Sequence, residues 1–183
     1  MMFKEQKIQF KQESISCEHG TIMHKWETPI MQHMVNFICS NGGDILELGF
    51  GMGISAEMIQ KQIINSHTIC EIHLDIIPNL KKWSKSKSVK VLEGSWYENR
   101  DQLKKYDGIF FDTHLDPHHH LFKKLVPKIC NPGCRITWWN NSPFEWNEHK
   151  LPETEFEVIH VNPPKNDYFN HKEFYMPKYI HNG

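Results

Sequence analysis

Arginine is scarce in this sequence, and its scarcity is the first guide to what the chain binds. Arg100 and Arg135 are the two arginines among 183 residues, and the formal net charge is −1. Proteins that bind nucleic acid usually carry a basic patch or stripe that contacts the phosphates. Because the sequence has no such stripe, we expect a small-molecule partner and no nucleic acid.

Long apolar runs are also absent. No stretch approaches the roughly 18 apolar residues that a membrane-spanning helix needs. The opening segment, MMFKEQKIQFKQES, lacks the apolar core of a signal peptide. These two absences predict a cytoplasmic protein that does not bind a membrane.

Cysteines are few, and their spacing suggests neither disulfides nor zinc. The five residues are Cys17, Cys39, Cys70, Cys130 and Cys134, an odd number without a CxxC pair. Such a pattern argues against a disulfide framework or a structural zinc site. The run of histidines at 118–120 does not favour a metal either, because adjacent side chains point in different directions. We therefore predict no bound metal.

Apolar runs alternate with helical patterns along most of the chain. Five of these runs predict strands, at residues 44–49, 67–72, 89–94, 106–112 and 134–139. This alternation predicts an α/β fold with a mostly parallel sheet and helices on both faces. Two later runs, at 156–161 and 173–180, are joined by a loop and predict an antiparallel pair. At 183 residues the chain is long enough for one domain with a substantial core.

A glycine-rich turn follows the first predicted strand. The sequence GFGMG occupies residues 49–53, where glycines let the backbone approach a ligand and the helix N–H groups point towards it. The dinucleotide fingerprint GxGxxG would need glycine at Ile54, whereas the observed spacing is GxGxG. This spacing favours a nucleoside cofactor without a pyrophosphate; a tight turn without a ligand is the alternative.

Polar side chains follow the next three predicted strands. Glu71 lies about twenty residues beyond the turn, where a carboxylate can accept hydrogen bonds from ribose hydroxyls, and Asp75 is the alternative acid. Ser95 and Trp96 could flank an adenine ring, although Trp96 could equally pack in the core. Asp112 ends the fourth strand, at the edge where ligands bind in open α/β sheets, and capping of the next helix is its alternative role.

The segment HKWETPIM, residues 24–31, contains an acid that the local structure does not require. Thr28 can cap a helix and Pro29 suits the first helical position. Glu27 is either a first-turn acid that favours the helix dipole or a residue with a chemical role.

Together these motifs resemble the guanidinoacetate N-methyltransferase family, which includes relatives that methylate the δ-nitrogen of arginine. The resemblance rests on IMHKWETPIM, GGDILELGFGMGI, TICEIH, GSWYEN, YDGIFFDT and EFYMPKYI, which occur in this order. It implies a Rossmann-like class I methyltransferase fold with an antiparallel C-terminal strand pair, and S-adenosylmethionine as the cofactor. It also implies one methyltransferase domain over residues 1–183, with 1–22 as a candidate N-terminal lid segment.

The resemblance further implies roles for individual residues. The implied cofactor contacts are Met23 and Met31 in the pocket; Gly49, Phe50, Gly51, Met52, Gly53 and Ile54 at the methionyl part; Glu71, Ile72 and His73 at the ribose; and Ser95 and Trp96 at the adenine. The implied substrate contacts are Glu27 and Asp112 at the guanidino group, and the backbone N–H groups of Asn141 and Ser142 at the substrate carboxylate.

The chemistry of the guanidino group is consistent with two acids. A guanidinium is a poor nucleophile, because its lone pairs are delocalised and its pKa lies above about 12. Two carboxylates can bind its planar array of N–H groups and accept a proton. We therefore predict methyl transfer to a guanidino nitrogen of a small molecule, either guanidinoacetate or free arginine. The alternatives are an arginine δ-N-methyltransferase that acts on a protein and a non-catalytic module that binds the cofactor.

Overall fold

A seven-stranded sheet forms the centre of the computed structural model, which describes residues 3–183. The strands are β1 Gln9–Phe10, β2 Ser14–Cys17, β3 Gly20–His24, β4 Asp44–Leu48, β5 Ser66–Glu71, β6 Val89–Glu93, β7 Tyr106–Phe111, β8 Cys130–Trp138, β9 Glu155–His160 and β10 Glu173–His181. The helices are α1 Thr28–Cys39, α2 Ile54–Ile59, α3 Ile77–Ser84 and α4 Phe122–Ile129.

The strand order of the central sheet is β6-β5-β4-β7-β8-β10-β9. Strands β4 to β8 pair in parallel, whereas β10 runs antiparallel to both β8 and β9. This arrangement confirms the predicted parallel sheet and the antiparallel C-terminal pair. The order reverses beside β4, which lies between β5 and β7, and ligands of open α/β sheets bind at such a reversal.

Helices cover both faces of the sheet, as the sequence predicted. Successive residues of a strand point to opposite faces. Ile45 and Phe110 accordingly pack in a cluster with residues of α1, α2 and α3, while Leu46 and Phe111 pack in a second cluster with residues of α4. Between residues 3 and 183, no helix is long and apolar enough to cross a membrane.

The start of α1 differs from the sequence prediction. Thr28 is the first residue of the helix and donates its hydroxyl proton to the Lys25 carbonyl at 2.6 Å, so it does not cap the helix. Glu27 holds the N-cap position, but its carboxylate does not bond to α1. It accepts a hydrogen bond from the His24 N–H at 2.7 Å instead, within a capping box that closes the short turn Lys25–Glu27. The side chain of Glu27 is therefore turned back towards β3.

A second, three-stranded antiparallel sheet precedes the domain core and was not predicted. Its strands, β1, β2 and β3, pair in sequence order. Both residues of β1 are exposed, and Ile15 is the one buried residue of β2. Because so few of these residues are buried, the sequence lacks the alternation that would have indicated strands.

Candidate active site

A cavity of about 860 Å³ opens at the carboxyl ends of the parallel strands. Gly49 follows β4, Glu71 ends β5, Gly94 follows β6 and Asp112 follows β7, and all four line the cavity. The cavity therefore occupies the crevice that the strand order predicts for a ligand.

Most of the residues that the resemblance singled out share this cavity. Those that line it are Met23, Glu27, Gly49, Phe50, Gly51, Glu71, Ile72, Ser95, Trp96, Asp112, Asn141 and Ser142. The remaining predicted residues, Met31, Met52, Gly53, Ile54 and His73, lie outside its lining. Met31 is fully buried on the face of α1 that packs in the core. His73 is also fully buried, and its ring packs edge-on against Phe3 at 4.9 Å.

Two glycines allow close backbone approach in the turn after β4. Gly49 has φ +92°, and a Cβ there would lie 2.0 Å from the Asp112 carbonyl oxygen. Gly51 has φ +53°, and its Cβ would lie 2.8 Å from the sulfur of Met23. A larger residue would be strained at either position and would also clash. Glycine at these positions thus lets the turn pack directly against Asp112 and Met23.

Glu71 is a buried acid of the cavity lining. It is 4 % exposed, and its two oxygens accept hydrogen bonds from the Phe50 and His73 N–H groups, both at 2.8 Å. Burial raises the pKa of Glu71, and these N–H groups act in the opposite direction. Asp75, the alternative acid, does not line the cavity and accepts from the Ile8 N–H at 3.0 Å. The Gly51 N–H also acts on this carboxylate, which has about four acceptor sites in all and so can still accept a bond from a further donor such as a hydroxyl.

Trp96 both packs in the core and lines the cavity. Its indole is 3 % exposed, contacts Phe122 edge-on at 5.7 Å, and donates from Nε1 to Asp116 at 2.6 Å. Ser95 donates from both its N–H and its hydroxyl to Glu98, at 2.8 and 3.0 Å. The Ser95–Glu98 bonds hold the segment after β6 together, and the Trp96–Asp116 bond joins it to the loop after β7, so the position of the tryptophan in the cavity wall is well defined.

Glu27 also lines the cavity and is buried. Its side chain is 3 % exposed, and Oε1 accepts hydrogen bonds from the His24 N–H and from the Tyr168 hydroxyl. Burial raises the pKa of Glu27 to about 8; the Tyr168 hydrogen bond opposes this rise, and the charge of Asp112 adds to it. A carboxylate with this pKa is a stronger base than an exposed one.

Asp112 is the second acid and is partly exposed to the cavity. Desolvation raises the pKa of Asp112 to about 7, and the negative charges of Glu47 and Glu71 add to the effect. Glu47 is fully buried and pairs with His67 at 2.9 Å. A cation that binds between Glu27 and Asp112 would favour the ionised form of both acids.

Asn141 and Ser142 lie at the cavity, but their loop already uses some of its polar groups. Ser142 donates its N–H to the Asn140 side chain at 2.9 Å. Asn141 accepts from the Trp139 indole at 3.1 Å. The Ser142 N–H can reach a substrate carboxylate only if the bond to Asn140 is exchanged.

Tyr168 and Asp116 are site residues that sequence reasoning missed. Tyr168 lies between β9 and β10, in a segment without a recognised motif, and no sequence signal links it to Glu27 at a separation of 141 residues. Asp116 follows β7 in a His-rich stretch and could have been noted as a strand-end acid.

In the run of histidines at 118–120, His118 stacks on the Tyr97 ring at 4.1 Å. Within residues 3–183, no group of three or more metal-ligating side chains is placed to hold an ion.

Residues 3–148 match the guanidinoacetate N-methyltransferase family. The chain belongs to this family. Membership confirms the family that the sequence motifs resemble.

Several similar proteins carry the name protein arginine N-methyltransferase 2. The Kluyveromyces lactis protein is 25% identical over 190 residues, which cover 86% of this chain and 47% of that protein. The Aspergillus fumigatus protein is 30% identical, covering 80% of this chain and 43% of its own length. The Eremothecium gossypii protein is 34% identical over 65% of this chain and 32% of its own. The chain thus spans less than half the length of these relatives.

Solved structures support the fold class. Spermidine synthase from Thermotoga maritima aligns with a TM-score of 0.68 at 14% identity, over 91% of this chain and 65% of its own. Precorrin-6y C5,15-methyltransferase from Geobacter metallireducens aligns with a TM-score of 0.62 at 10% identity, over 86% of this chain and 89% of its own. At these identities the likeness concerns the fold alone, and it confirms the predicted Rossmann-like architecture.

Proposed function

We propose that this protein transfers a methyl group to a guanidino nitrogen, with Glu27 and Asp112 binding the guanidinium and accepting its proton. The observation that carries the proposal is that both acids line one cavity together with the glycine turn and Glu71. A cavity with a nucleoside side and a two-acid side suits a reaction between a nucleoside cofactor and a cation.

The cofactor side fits S-adenosylmethionine. The backbone of Gly49 and Gly51 borders the cavity where a Cβ would clash, so the turn is as tight as a closely held methionyl group requires. Glu71 faces the same space and can accept from the ribose hydroxyls, and Trp96 offers an aromatic wall to the adenine. When bound, the cofactor supplies an electrophilic methyl group on a sulfonium centre.

The acceptor side provides the base. A guanidinium presents five N–H donors in one plane, and a carboxylate can accept two of them side by side. Two acids at different points of the cavity wall can fix this plane and orient one nitrogen. Because the pKa values of Glu27 and Asp112 are raised to about 8 and about 7, their ionised forms accept a proton more readily than exposed carboxylates do.

We infer that the acceptor is an arginine side chain of a protein. The similar proteins are named protein arginine N-methyltransferase 2, which supports this acceptor over the small molecules first predicted. The cavity rim also exposes apolar groups suited to a macromolecule: Leu115 and Trp146 both line the cavity and are 56% and 51% exposed. Guanidinoacetate and free arginine are the alternative acceptors.

Labelled methyl donor distinguishes these acceptors. The purified protein is incubated with the labelled cofactor and, in parallel, with guanidinoacetate, free arginine and an arginine-rich protein mixture, and the products are separated by size and analysed by mass spectrometry. Label on protein-bound arginine is the expected result. Label confined to guanidinoacetate or free arginine would favour the small-molecule alternative. Cofactor binding without methylation of any acceptor would contradict the proposal and favour a binding module.

A further inference from the structure

The two oxygens of the Glu27 carboxylate have different surroundings. Oε1 accepts two hydrogen bonds, from the His24 N–H at 2.7 Å and from the Tyr168 hydroxyl. Oε2 accepts none from the residues that the structure describes. Since Glu27 lines the cavity, Oε2 is the oxygen free to meet a ligand there.

Tyr168 is held in place by the loop that carries it. The Asn166 side chain accepts the N–H groups of Tyr168 and Phe169 at 3.0 and 2.7 Å. Asp167 accepts the Thr21 N–H at 3.0 Å, which ties this loop to β3. The Tyr168 ring also lies beside Trp26, with ring centroids 6.2 Å apart. The contacts of the loop and of the ring therefore hold the Tyr168 hydroxyl beside Glu27.

The tyrosine remains a donor over the whole working pH range. Burial and the adjacent Glu27 charge raise the pKa of Tyr168 above its ordinary value. The other groups that face Glu27 are Asp112, whose charge opposes its ionisation, and His24, whose ring accepts the Trp26 N–H at 3.2 Å. Among these side chains, Tyr168 is the one that donates a hydrogen bond to the Glu27 carboxylate.

We propose that Tyr168 is a positioning residue that fixes Oε1 of Glu27, so that Oε2 binds the guanidinium and takes its proton. The inference rests on the proposed guanidino methyl transfer. In this step an N–H bond of the guanidinium breaks, an O–H bond forms at Oε2, and the electron pair that remains on nitrogen becomes available to attack the methyl group. Tyr168 keeps its own proton and stabilises the ionised carboxylate beforehand.

The test compares Tyr168→Phe with Tyr175→Phe. Tyr175 is a matched control, because its hydroxyl also donates to a carboxylate, Glu173 at 3.0 Å, outside the cavity lining. Removing the Tyr168 donor raises the pKa of Glu27, so the acidic limb of kcat/KM against pH should move up by about one unit. Below that limb kcat/KM should fall about tenfold, while cofactor affinity is kept. Tyr175→Phe should follow the wild type.

Replacement of Tyr168 by 3-fluorotyrosine gives the opposite shift. The more acidic phenol is a stronger donor, so the acidic limb should move to lower pH, and this variant tests the inference even where Tyr168→Phe does not fold. Unchanged pH profiles in an active protein would overturn the role of Tyr168 while leaving the proposed function intact. A wild type that methylates no guanidino compound would overturn both.

Discussion

In the proposed mechanism, Glu27 and Asp112 act as bases, and burial raises the pKa of both. Replacing either acid by its amide keeps the shape of the side chain and removes the proton acceptor. Glu27→Gln and Asp112→Asn should each lower kcat/KM at least about 100-fold, the usual contribution of a positioned base. Cofactor affinity, measured by calorimetry, should stay within a few-fold of wild type.

Glu157→Gln is the control for these substitutions, since Glu157 lies on β9 outside the cavity lining and pairs with His33 and Lys178. It should retain wild-type activity. Near-normal turnover in both amide variants would contradict the role given to the two acids.

The cofactor affinities of Glu71→Ala and Asp75→Ala should show which of the two acids binds the ribose in the proposed site. Glu71→Ala removes a buried acceptor that faces the cavity, and a lost hydrogen bond to a charged group costs about 1.5–3 kcal/mol. Calorimetry should therefore show S-adenosylmethionine binding weakened by at least about tenfold. Asp75→Ala should bind the cofactor normally, because Asp75 contacts the Ile8 N–H and not the cavity. The reverse order of effects would assign the ribose to Asp75.

The turn after β4 borders the cavity and packs against Asp112 and Met23. Gly49→Ala would combine a strained φ of +92° with a clash against the Asp112 carbonyl. Gly133→Ala is a matched control, because Gly133 has φ +85° and open space around it. Urea unfolding should show both variants destabilised by backbone strain, about 1 kcal/mol or more, with Gly49→Ala the more severe. Equal losses of unfolding free energy in Gly49→Ala and Gly133→Ala would mean that the clash at residue 49 is relieved without cost.

Element prediction succeeded for the seven strands of the central sheet and failed for the three short strands that precede it. The predicted bounds of β4 to β10 agree with the structure to within a few residues at each end, although β6 and β9 bury one residue each. The exception in length is β8, which was predicted from residue 134 and begins at Cys130. The strands β1 to β3 are only two to five residues long, and each is too short to show a clear alternation of apolar and polar residues. The sequence predicts Thr28 as the cap of α1. In the structure Glu27 holds the N-cap position, and its carboxylate accepts from the His24 N–H and the Tyr168 hydroxyl instead of bonding to α1.

Cavity residues at the ends of strands could be predicted from the sequence, whereas a residue carried by an irregular loop could not. Residues at strand ends, such as Gly49, Glu71 and Asp112, could be expected at one crevice because parallel strands finish at a common edge. Trp96 was also singled out from the end of its strand, with core packing as the alternative, whereas Glu27 received a substrate role only from the family resemblance. Tyr168 could not be anticipated, because its contact with Glu27 joins distant parts of the chain through an irregular loop.

At the scale of the whole molecule, the two acids should make stability depend on pH. Their pKa values in the folded protein, about 8 and about 7, exceed the ordinary 4.5 and 3.8, so the folded state holds protons that the unfolded chain has released. The stability from this source is complete below about pH 4 and is lost as pH rises through 7 and 8. Thermal unfolding should therefore show Tm falling from pH 5 to 9.

Glu27→Gln should reduce this dependence, because the amide does not ionise. Its Tm should fall less than that of wild type over the same range, and the variant should be the more stable protein at pH 9. An identical fall in both proteins would show that Glu27 ionises without cost in the folded state.

The strand order at the end of the sheet also has a consequence for biosynthesis. Strand β9 is synthesised before β10 but joins the sheet only through it, since β10 lies between β8 and β9. A chain that stops before Glu173 therefore leaves β9 unpaired and the outer edge of β8 open, and the loop that carries Tyr168 lacks the strand that follows it. On the ribosome, the segments that line the cavity are all synthesised before β9, whereas the loop that carries Tyr168 is held by strands at both of its ends only once β10 has joined the sheet. Acceptor binding by arrested chains of increasing length should accordingly begin only once β10 has emerged.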